Sequence, residues 1–108
     1  MQLNSLELFA LDKLLHDHEI ADQVLHDAGA RVLERVETRD GFFAVIELQQ
    51  RLRDVGELSE REWKFKLKSP RKAAGYFVCW PDGESTLCLE AVISQGRRPD
   101  VLTAELFA

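Results

Sequence analysis

At 108 residues, with 45% hydrophobic and 31% charged side chains, the chain has the size and composition of one globular domain, 1–108, and lies outside the composition that keeps chains disordered. A net charge of −5 and a pI near 5.2 disfavour nucleic acid as a partner and suit a protein with basic surface. Apolar runs fall short of the roughly 18 to 20 residues that span a bilayer. The opening MQLNSLELFALDKLL has neither the basic start nor the small-residue cleavage site of a secretory signal, so a cytoplasmic protein without membrane contact is expected.

Asn4 and Glu7 have the spacing of a capping box ahead of an apolar run, which predicts a helix from about Ser5 to Leu15. Its apolar residues form two rows, Leu6, Phe9, Ala10 and Leu14 beside Leu8, Leu11 and Leu15, so more than one side should be covered. After the polar tetrad 16–19, Ile20, Ala21, Val24, Leu25 and Ala28 predict a second helix, or the first continued past a kink, with Gly29 as its stop.

From residue 30 the pattern is that of strands. Arg31 to Thr38 and Phe42 to Leu48 flank Arg-Asp-Gly, a hairpin signal. Residues 49–60 form a polar connection, and Glu62 to Lys68 then alternates, with Trp63, Phe65 and Leu67 on one face and lysines on the other. Gly75 to Trp80 and Ser85 to Ile93 flank Pro-Asp-Gly, another turn signal. Helices first and strands after predict an α+β fold, an N-terminal helix or helix pair packed on a mostly antiparallel sheet of about five strands.

The last hairpin holds both cysteines. A type I turn with a glycine bulge sets Trp80 opposite Glu84, Cys79 opposite Ser85 and Phe77 opposite Leu87, so that Cys79 and Cys88 point to opposite faces. A two-residue Asp-Gly turn would instead make them diagonal neighbours on one face. Neither favours a disulfide, and packing as small apolar groups is expected of both.

If residues 18–27 form one helix, His18, Asp22 and His26 recur at four-residue steps and share a face, a donor set that binds zinc; a solvated helix face has the same pattern. The segment KFKLKSPRK holds five positive charges in nine residues. It reads as a patch for an acidic partner or a nucleic acid, or as an edge strand whose lysines discourage pairing, and the edge strand suits an acidic chain better. Such an edge permits a homodimer, against which the lysines argue. Glu47 and Glu90 are carboxylates within apolar runs, the raw material of an acid and base pair and also the ordinary content of a solvated strand face. The chain has no GxSxG, GxGxxG, Walker or HExxH pattern, so the balance lies away from an enzyme and no cofactor is implied.

The opening LELFALDKLL, the GFF at Gly41–Phe43, and AGYFV followed by DG and by Leu89-Glu90 resemble small uncharacterised bacterial proteins of about this length. The resemblance implies no catalytic residue, and by analogy suggests an immunity-like or regulatory partner. A non-enzymatic protein-binding module with an acidic surface and exposed strand aromatics is therefore the leading expectation. The alternative is a ligand-binding domain or enzyme with a pocket between helix and sheet, walled by Tyr76, Trp80 and Glu90.

Overall fold

Asn4 and Glu7 close a full capping box: the Glu7 amide donates to Asn4 Oδ1 and the Asn4 amide to Glu7 Oε1, each at 2.8 Å. Helix α1 follows over Ser5–Leu15, as its caps and apolar rows predict. A computed structural model of the protein describes residues 1–18, 20–26, 30–49, 51, 58–68 and 72–107, without the side chains of Asp22, Gln23 and His26. Helix α2 spans Ala21–His26, and five strands follow: β1 Arg31–Thr38, β2 Gly41–Glu47, β3 Arg61–Lys66, β4 Ala74–Pro81 and β5 Thr86–Gln95. A 3-10 turn at Ala104–Leu106 comes last among the named elements.

The strands form one sheet in the order β1-β2-β5-β4-β3, with each neighbouring pair antiparallel. A β1–β2 hairpin and a β3–β4–β5 meander thus meet along β2 and β5, and β1 and β3 are the outer strands. This is the α+β arrangement that the order of elements predicts, with α1 on one sheet face. Leu6, Ala10, Leu11, Leu14 and Leu15 meet Ala44, Ile46, Phe77, Leu87, Leu89 and Ala91 in one buried cluster. An 11-residue helix is roughly 16 Å long and five strands are about 19 Å from edge to edge, so one helix covers most of the sheet's width and long side chains can bridge the remainder.

An arginine ties each end of α1 to an outer strand. From β1, Arg35 donates through Nε to Glu7 Oε2 at 2.8 Å and through Nη2 to Glu7 Oε1 at 2.7 Å. Glu7 is 1% exposed, so this carboxylate is held inside the protein by a bidentate cation and a backbone amide. The same hydrogen bond and charge attraction raise the Arg35 pKa. From β3, Arg61 Nη1 donates to the Leu14 carbonyl at 3.1 Å, one of the acceptors left free at a helix C-terminus, and the same nitrogen pairs with Asp17.

The turns differ in detail from their sequence signals. In the first hairpin Thr38 pairs with Gly41, so Arg39 and Asp40 make the turn and Gly41 is already a strand residue. A Cβ at Gly41 would lie 1.9 Å from the Ala91 carbonyl oxygen, so close approach to β5 is what requires glycine there. In the second hairpin Trp80 pairs with Cys88 and Pro81 with Leu87, and Asp82 N–H closes the loop on the Thr86 carbonyl. Gly83 supplies the positive φ, +99°. Cys79 therefore faces Leu89 rather than Ser85, a displacement of four residues along β5. Because an even displacement preserves side-chain parity, Cys79 and Cys88 still point to opposite faces.

Candidate functional site

Side chains alternate across each strand, so this sheet has a second face away from α1. Cross-strand register assigns its rows. Val36, Phe43, Glu90, Val78 and Glu62 run across all five strands; Glu34, Val45, Cys88 and Trp80 form the next row, and Gly41, Val92, Tyr76 and Lys64 lie on the other side. This face is much more apolar than a merely solvated one. Phe43 and Trp80 are in contact, with ring centroids 6.2 Å apart, and Val36 is 43% exposed. Val78 and Cys88 are nonetheless buried, shielded by larger neighbours on their own face.

Tyr76, Trp80 and Glu90 come together here. All three line an open depression of about 410 Å³ with Glu60, Glu62 and Val78. Their place corrects the expected pocket between helix and sheet: that layer holds Phe42, Leu87 and Leu89, all buried in the core, and the three residues stand on the opposite face. Glu90 lies at the centre of the face, on the middle strand, between Phe43 and Val78. Among the described residues, no hydrogen bond or ion pair engages its carboxylate. Phe43, Val36, Glu60 and Glu62 complete the site; the alternation within their own strands was the signal for them, but pairing them with Trp80 and Glu90 requires the strand order.

Glu47 and Glu90 do not form an acid and base pair. Glu47 is engaged by Arg31, whose Nη2 lies 2.8 Å from Glu47 Oε1. Glu47 is also four residues along β2 from Phe43, the neighbour of Glu90, which separates the two acids by roughly 13 Å along the strands. The thiols are unsuited to nucleophilic work. Burial pushes the Cys79 pKa from 9.0 up to about 11, and burial and the adjacent Asp82 carboxylate raise that of Cys88. Both cysteines are free.

The premise for joining His18, Asp22 and His26 does not hold in the backbone. Helix α2 begins at Ala21, and His18 precedes it, its Nδ1 accepting from the Ile20 amide at 3.1 Å. The side chains of Asp22 and His26 lie outside the described residues. No described helix is long and apolar enough to cross a membrane. No family model, curated protein or solved structure matches the chain.

Proposed function

We propose that the protein is a non-enzymatic binding module that uses the open sheet face to dock a protein partner presenting basic side chains among apolar ones. The carrying observation is Glu90: a carboxylate without a counter-charge among the described residues, set between Phe43 and Val78 and beside the Phe43–Trp80 pair. A lysine or arginine from a partner would neutralise Glu90 and pack its stem on the aromatic rings, an attraction that grows as water is displaced. The depression is open, which suits a protein surface. The net charge of −5 adds long-range attraction for a basic partner.

An immunity-like or regulatory role is the kind of work such a module does, and two free thiols suit the reducing cytoplasm. The test is recovery of a partner from the cells that make the protein, followed by its affinity for wild type, Trp80→Ala and Glu90→Lys. Both variants are expected to weaken binding at least tenfold, and added salt to weaken the wild-type complex. An affinity unchanged in both would refute this site. A second reading rests on the common depression of Tyr76, Trp80 and Glu90, which would take a small cationic ligand of matching width. Stoichiometric binding of such a compound, lost in Glu90→Gln, would favour it.

A further inference from the structure

Strand β3 is an outer strand, and its backbone polar groups divide by parity. The Leu67 amide donates to the Ala73 carbonyl on the β4 side, whereas the Lys68 amide donates away from β4, to the Leu106 carbonyl, each at 2.9 Å. Alternation along the strand turns the N–H and C=O groups of Glu62, Lys64 and Lys66 outward too. Among the described residues no strand pairs with this edge, and the C-terminal turn reaches it at Lys68. An edge of unpaired donors and acceptors is a template for another strand.

The side chains of β3 on the open face follow a simple order: Glu60 just before the strand, then Glu62, Lys64 and Lys66. All are exposed, and among the described residues none is in an ion pair. Their charge changes sign at Trp63, so the edge is complementary to its own reverse. We propose that β3 pairs antiparallel with β3 of a second copy, about a two-fold axis at Trp63, joining the two sheets into one.

That register is specified twice over. With Trp63 opposite Trp63 of the second copy, Glu62 falls opposite Lys64 and Glu60 opposite Lys66, in both directions, and the outward backbone groups of these residues meet each other. Sliding by one residue sets outward backbone groups against inward ones. Sliding by two sets Glu62 against Glu62 or Lys64 against Lys64, a like-charge contact that opposes pairing. Lysines alone would block this edge, as the sequence suggests; two glutamates ahead of them convert the block into a code for self-recognition. The other outer strand lacks these features. β1 is bulged between Val32 and Glu34, Met1 occupies its edge at Val32, and its Arg35 and Glu37 are in ion pairs with Glu7 and Arg98. Glu90 lies two strands inward from β3 and remains open in the paired sheet, while Glu60 and Glu62, which rim its depression, are shared with the β3 edge.

Sedimentation of the full chain over a concentration series, at low and high salt, tests the pairing. Wild type is expected to move from the 12.4 kDa chain mass toward twice that value as concentration rises, with more dimer at low salt. Glu62→Lys and Lys64→Glu should each sediment as monomers, because like charges then face one another. Mixed, the two single variants should form a one-to-one heterodimer, and the double variant Glu62→Lys/Lys64→Glu should dimerise again, since both combinations restore opposite charges across the axis. Circular dichroism of each variant checks that the fold is kept. A wild type that stays monomeric throughout, single variants that dimerise as well as wild type, or a mixture that fails to pair would each overturn the proposal.

Discussion

The two faces of this sheet are made by the same strands and even by adjacent residues, yet they answer to different demands. On β5, Leu87, Leu89 and Ala91 are fully buried under α1, while Cys88, Glu90 and Val92 point the other way. The covered face is closed: its apolar side chains meet partners, and the one buried carboxylate among the described residues, Glu7, is held by Arg35 and the Asn4 amide. The open face has similar raw materials left incomplete, aromatic rings with solvent on one side and Glu90 without a counter-charge among the described residues. Stability is concentrated on the first face, and the proposed docking site lies on the second.

The largest contrast should come from truncating neighbours on β5. Leu89→Ala removes buried methyl groups and is expected to cost about 2–5 kcal/mol by urea unfolding. A cost below about 1 kcal/mol would mean that the helix layer does not seal this face. Next comes the charged contact of the covered face. Arg35→Ala strands a buried carboxylate and should cost about 2–3 kcal/mol, less than for a fully buried pair because Arg35 is 30% exposed. Glu7→Gln keeps an acceptor for the Asn4 amide and should cost less. The reverse order would show that the arginine, not the carboxylate, bears the desolvation.

A smaller, pH-dependent effect separates the two cysteines. Cys79 has a folded pKa of about 11 against 9.0 ordinarily, so the folded state favours the protonated thiol. Its contribution to stability is complete below pH 9 and declines as pH rises from 9 through about 11. Unfolding midpoints measured over that range should fall in wild type and fall less in Cys79→Ala; equal slopes would remove Cys79 as the cause. Smallest of all is the effect of the open face on stability. Glu90→Val should change the unfolding free energy by no more than about 0.5 kcal/mol, because it replaces a carboxylate without a counter-charge by a good strand former. A loss of 2 kcal/mol or more, on the order of a buried side chain, would place Glu90 in the structural framework.

Local signals in the sequence carried much of this fold. The capping box set the bounds of α1, and the alternation around Trp63 and Phe65 gave both the face and the exposed lysines of β3. Register was harder. Pro-Asp-Gly permits more than one loop length, and the choice made here moved Cys79 by four residues along β5 without changing its face. Glu7 read as a cap and nothing more, because Arg35 is 28 residues away in sequence. Gly41 read as a turn residue because the strand that presses on it lies near Ala91. Tyr76, Trp80 and Glu90 share a parity that even-numbered registers preserve, so their grouping was legible. Which side of the sheet α1 would cover was not, since both faces offer apolar surface.

Docking of a basic partner on the open face is best tested by the affinity of a partner recovered from the producing cells, measured against salt for wild type and Glu90→Lys. The wild-type complex should weaken steeply with salt, and the variant should bind at least tenfold less well while unfolding at the same urea concentration. A partner held equally by both proteins, with no response to salt, would contradict it.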